Sequence, residues 1–200
     1  IFPVHYDISD FALHLCRREK LFCLLGLPPV AWTGKKVLEV GPGGGENSLA
    51  FFSWGSDVDF VEPNPTAQRD LVELISRSDI WNDRWRLFPG KIESYTPNRT
   101  YDIILAEGFL SGVENRKTRI RKMMSLLHDK GVIIVTCIDE ISCLMDLLKR
   151  AVGSQLLRKA KVNTFDEKVA LLSQAFSSHL TSLQHASRPI EDWVMDTLLF

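Results

Sequence analysis

Short apolar runs alternate with amphipathic stretches through the first two thirds of the chain. Residues 8–25 place Phe11, Leu15, Phe22 and Leu25 near helical spacing, with Arg17, Arg18, Glu19 and Lys20 between them. Asp7 or Ser9 can cap this helix, and Gly26 with Pro28 and Pro29 ends it. Residues 36–40 (KVLEV) read as a first strand, 46–54 as a helix and 58–61 (VDFV) as a second strand. A helix over 66–76 follows, with Leu71, Leu74 and Ile75 as its apolar stripe, and then short strands at 85–88 and 101–105 (YDIIL). Residues 115–128 predict a helix with Ile120, Met123, Met124 and Leu127 inward and Gly131 past its end, and 132–138 (VIIVTCI) a fifth strand. YDIIL and VIIVTCI are nearly continuous in apolar residues, as strands buried on both faces should be. Strands alternating with helices predict parallel βαβ units in an α/β, doubly wound, mostly parallel sheet.

The pattern changes after Asp139. Residues 141–160 are amphipathic and helical, and Thr164 opens another helix with a capping-box spacing to Glu167. That helix carries the stripe Phe165, Val169, Leu172, Phe176, Leu180 and Leu183, which must be buried against something. Pro189 suits the first turn of a last helix, 190–199. The expected organisation is an N-terminal helical cap (1–33), a Rossmann-like core (34–140) and a helical lid or insertion (141–200).

The densest chemistry lies where the first strand meets the glycines Gly41, Gly43, Gly44 and Gly45. Strand, glycine turn and helix open a nucleotide-binding unit, because the turn lets a ligand approach the main chain. The spacing is GxGxG, whereas a dinucleotide fingerprint is GxGxxG, and Glu46 stands at its last position. A glutamate there sets negative charge against a pyrophosphate. Glu39 adds a carboxylate two residues before the first glycine. Such a loop suits a ligand with positive groups and no phosphate, and S-adenosylmethionine (SAM) carries an ammonium and a sulfonium. Glu62, at the tip of the second strand about twenty residues on, can accept hydrogen bonds from both ribose hydroxyls, with Pro63 and Asn64 lining the adenine side.

With these residues in hand, the chain resembles the class I (Rossmann-like) SAM-dependent methyltransferase family. The resemblance rests on EVGPGGG (39–45), Glu62, FPGKIESY (88–95), YDIILAEG (101–108) and KGVIIVT (130–136), and covers about residues 34–140. It implies that Glu39 and the backbone of Gly41, Pro42 and Gly43 face the methionine part of SAM and that Glu62 holds the ribose. It implies also that Lys91 and Ile92 flank the adenine and that Glu107 and Gly108 border the transferable methyl. Two features depart from the family. Lys91 stands where many members carry an Asp for the adenine amino group. A helical block follows the fifth strand where two more strands are usual, resembling the substrate lids inserted there. The chain opens on Ile1 without Met and stops at Phe200 in an apolar segment, which reads as a piece of a longer protein.

Some oxygen and nitrogen acceptors call for a base, and the candidate catalytic residues are His5, Glu107 and Asp139. Glu140 and His14 are weaker: the first reads as solvated and the second as a packed or exposed helix position. Cys137 reads as core. The four cysteines (Cys16, Cys23, Cys137, Cys143) form no CxxC pair and no zinc spacing, so no metal is expected, and they read as thiols in a reducing, cytoplasmic compartment. The net charge of −1 gives no support for bulk attraction to nucleic acid or membrane. No run approaches the ~20 residues of a membrane span, and His5, Asp7 and Asp10 interrupt any signal-peptide pattern. The basic residues of 115–122 lack interleaved aromatics for base stacking and read as a solvated face. The reading is a SAM-dependent methyltransferase acting on a small-molecule or carrier- or glycan-linked acceptor, with a homodimer through the helical block as a further expectation. Three alternatives stay open: a non-catalytic SAM-binding or scaffold domain, an NAD-dependent oxidoreductase and an RNA methyltransferase.

Overall fold

The computed structural model describes residues 5–77, 83–110, 113–137, 140–182 and 188–199. They form two compact units, residues 8–137 and residues 5–7 with 140–199.

The first unit holds a five-stranded sheet: β1 (Lys36–Val40), β2 (Asp57–Val61), β3 (Trp85–Phe88), β4 (Tyr101–Ala106) and β5 (Leu127–Val135). The spatial order is β3-β2-β1-β4-β5 and every pair is parallel. Alternation along the strands divides the core between the two faces. Val37, Val58, Phe60, Ile103 and Leu105 pack on one face against Phe22 of α1 (Phe11–Leu24), Phe51 and Phe52 of α2 (Leu49–Ser53), and Leu71 and Ile75 of α3 (Pro65–Ser76). Leu38, Val40, Val61, Ile104 and Ala106 pack on the other against Ile92 and Met123 of α4 (Arg116–Met124). Both faces are covered, so the expected doubly wound α/β sheet is what forms. The strand order reverses between β1 and β4, which opens the crevice where ligands settle in folds of this kind.

Three local expectations are corrected. The helix expected over 115–128 ends at Met124, and residues 127–130 belong to β5, where the register jumps from Tyr101↔Leu127 to Ile103↔Val132. Polar His128, Asp129 and Lys130 hide this strand from a hydrophobicity reading because they occupy an exposed edge. Cys137 is exposed rather than core. The inward face of α1 is His14, Arg18 and Phe22, at intervals of four, while Leu25 just past its end is 54% exposed.

The second unit contains α5 (Glu140–Ala160), α6 (Phe165–Ser182) and α7 (Ile190–Val194), with a wider final turn at Met195–Leu199. Leu172, Leu180, Trp193, Val194 and Leu198 form its core. The capping box forms as its spacing predicts: Thr164 Oγ1 accepts from the Glu167 N–H (3.3 Å) and Glu167 Oε2 accepts from the Thr164 N–H (3.1 Å). Leu183 lies outside the described residues. No helix among the described residues is long and apolar enough to cross a membrane.

Candidate functional site

Groups at the carboxyl end of the sheet are positioned by the strand tips, the glycine turn and helix α1. Gly41, Gly43 and Gly45 all take positive φ (73°, 60° and 88°). Gly45 is required twice over. An L-residue is strained at this φ, and a Cβ there would stand 2.3 Å from Leu71 Cδ1 of α3. The turn then runs through a 3₁₀ turn, Glu46–Ser48, into the short α2 rather than into one helix from residue 46.

Three carboxylates, those of Glu39, Glu62 and Glu107, converge on this edge. Glu39, 4% exposed on β1, accepts a hydrogen bond from Ser48 Oγ (2.6 Å). Burial, with a smaller push from the negative charge of Glu107, raises its carboxyl from 4.5 to about 7. Glu62, just past β2 and also buried, accepts from the Asn64 N–H through Oε1 (2.8 Å) and from the Gly43 N–H through Oε2 (3.4 Å). One side chain therefore ties the second strand tip to the glycine turn. Burial raises its pKa, and the two backbone hydrogen bonds oppose the shift. Glu46 is buried in the turn. Glu107 follows β4, and both its oxygens are held by Arg18 of α1, Nη1 to Oε2 at 2.9 Å and Nη2 to Oε1 at 2.8 Å.

Arg18, which the sequence places only among the polar residues between the apolar positions of the first helix, is part of the site. Its side chain is 8% exposed, and its guanidinium lies 4.8 Å from the Phe22 ring centroid and 5.6 Å from that of Phe51. Its Nε–H is buried with no hydrogen-bond partner among the described residues. One turn earlier, His14 Nε2 meets the Glu46 carbonyl oxygen at 3.1 Å. Burial and the nearby Arg18 lower the His14 pKa, so the ring is neutral and donates this bond. The set 14, 18, 22 was the available signal: two polar residues and a Phe at four-residue intervals make one helix face.

The remaining expected residues are placed as follows. Gly41, Pro42 and Gly43 are half-buried in the turn. Pro63 is exposed, and Asn64 Oδ1 caps α3 by accepting from the Thr66 N–H (3.0 Å). Lys91 is exposed, and Ile92 is buried in the core beneath it. Gly108 is exposed at φ 67°. His5 belongs to the helical unit, where its backbone N–H donates to Asp192 Oδ2 (3.1 Å). Asp139 lies outside the described residues. Among the described residues no group of His, Cys, Asp and Glu could hold a metal ion.

The family model described as a methyltransferase domain matches residues 11–175. A mitochondrial ubiquinone biosynthesis O-methyltransferase of Schizosaccharomyces pombe is 26% identical over 133 residues, covering 66% of this chain and 48% of that protein. Among solved structures, the CcbJ methyltransferase of Streptomyces caelestis superposes with a TM-score of 0.52 at 21% identity, over 61% of this chain and 49% of that one. The glycopeptide N-methyltransferase MtfA, complexed with sinefungin, gives 0.52 at 13% identity, over 63% and 55%. The chain thus spans about half the length of the curated relative it matches.

Proposed function

Because this chain belongs to the methyltransferase-domain family, whose members are class I SAM-dependent enzymes, we propose that its sheet unit binds SAM at the glycine turn and presents the methyl group to a small-molecule acceptor. The observation that carries this reading is the charge of the site. Three carboxylates, those of Glu39, Glu62 and Glu107, stand at the tips of adjacent strands beside the buried Arg18. A pyrophosphate would meet repulsion here, whereas a ligand with an ammonium and a sulfonium meets attraction.

In this reading Glu62 accepts from the ribose hydroxyls, Glu39 faces the ammonium, and the backbone of Gly41 to Gly43 lines the approach. Arg18, with one buried donor unmet, faces the methionine carboxylate. When bound, SAM supplies a methyl on an already activated leaving group, so the chain's own work is to orient and to exclude water. Glu107 would serve as a base only on leaving Arg18, which engages both of its oxygens. An organic acceptor accords with the ubiquinone-biosynthetic relative.

The test is calorimetric titration of the chain and of Glu62→Ala with SAM and S-adenosylhomocysteine, with NADH as control. Micromolar binding of the SAM pair, weakened tenfold or more (about 1.4 kcal/mol) in the variant, is expected. Binding of NADH in preference, or no binding of SAM by folded protein, would refute the reading.

A further inference from the structure

Arg18 and Glu107 are unequal partners. Arg18 is fixed: its side chain is 8% exposed, it lies against two aromatic rings, and its helix is tied to the glycine turn by the His14–Glu46 hydrogen bond. Glu107 is held mainly by Arg18. Its side chain is 22% exposed, and it sits in the turn after β4. The next residue is Gly108, exposed at φ 67° with open space where a Cβ would stand. Glu107 also adds a third negative charge to a site where buried Glu39 already resists ionisation.

From this asymmetry we propose that Glu107 is an internal occupant of Arg18, and that the chain's preference for a ligand carrying a carboxylate is set by exchange of Glu107 for that carboxylate. The inference rests on the SAM reading of the site and adds to it a specificity-determining residue. The edge of a guanidinium that takes one carboxylate in bidentate fashion cannot take a second. A ligand carboxylate must displace Glu107 or approach by the guanidinium's other edge, whose Nε–H is buried. The apparent affinity is then the intrinsic affinity multiplied by the fraction of molecules in which Arg18 is released. Ligands without a carboxylate bind without breaking the pair. Glu107 is a positioning residue in this scheme, because it acts through Arg18.

The test compares dissociation constants for SAM, decarboxylated SAM and methylthioadenosine on the full chain and on Glu107→Gln. A glutamine keeps the size and loses the charge. The readout is the preference for SAM over decarboxylated SAM, a ratio that cancels any effect of Glu107 on the positive groups common to both. The expected result is a rise in this ratio by about tenfold, as for release of a pair closed about nine tenths of the time. Methylthioadenosine affinity stays within about twofold, which also reports that the variant is folded. Glu107→Asp, charged but shorter, should fall between. An unchanged or lowered ratio with methylthioadenosine binding intact would overturn the inference and leave the SAM site standing. If neither SAM nor methylthioadenosine binds the parent chain, the SAM reading fails and the inference falls with it.

Discussion

Glu39→Gln should stabilise the ligand-free chain at alkaline pH and weaken its grip on SAM. Glu39 is 4% exposed and hydrogen-bonded to Ser48, and burial raises its carboxyl from 4.5 to about 7. The folded state therefore holds a proton that the unfolded chain releases between those values. Stability from this group is fullest below the unfolded pKa and is lost as pH rises through the folded one. At about 1.4 kcal/mol per pKa unit, ionised Glu39 costs about 3 kcal/mol at pH 8 and less than about 1 kcal/mol at pH 5. Glutamine removes the charge, and its amide oxygen still accepts from Ser48. The gain should thus be large at pH 8 and small at pH 5. Urea unfolding followed by tryptophan fluorescence at both values measures it. A gain that does not depend on pH, or a loss at pH 8, would refute the assignment of the shift to burial. The same titration acts on the ligand. A cation beside Glu39 draws its proton off, so SAM affinity in the parent chain should rise with pH toward 7 and level above it. In the variant this dependence should vanish along with much of the affinity.

Gly45→Ala meets Leu71 Cδ1 and a φ of 88° together, and should cost about 2–4 kcal/mol. Thermal unfolding of this variant and of its combination with Leu71→Ala separates the steric part, which the second change relieves, from the backbone part, which it does not. At the far end of the strands, Asp59 is 2% exposed and takes hydrogen bonds from Tyr101 (2.5 Å), Tyr95 (3.2 Å) and Arg99 Nε (2.9 Å). Burial, then the bond to Asp59, raises the Tyr101 pKa well above its usual value. Its contribution to stability is complete below about pH 10 and is lost above it. Tyr101 should remain protonated at about pH 11 while the fold persists, which the ring Cζ resonance reports; earlier ionisation would contradict the buried contact with Asp59.

Local pattern alone was enough for β1 to β4, for the glycine turn and for the place of the acid at residue 62. A strand buried on both faces is mostly apolar, and a turn that admits a ligand needs glycine at fixed offsets. These are constraints between near neighbours, so KVLEVGPGGG and VDFVE carry them whole. β5 was only half legible because its opening residues, 127–130, sit at an edge where burial does not select apolar side chains. The inward face of α1 was misread for the opposite reason. Arg18 and His14 are polar yet buried, and what compensates their burial is far away in the chain: Glu107 is 89 residues on, and the Glu46 carbonyl 32. A charge can be buried only beside its partner, and no rule of spacing along one segment names a partner on another. The sequence by itself determined the sheet and the class of ligand. Only the tertiary structure decided which charge meets which, because folding alone brings α1 over the tips of β1 and β4.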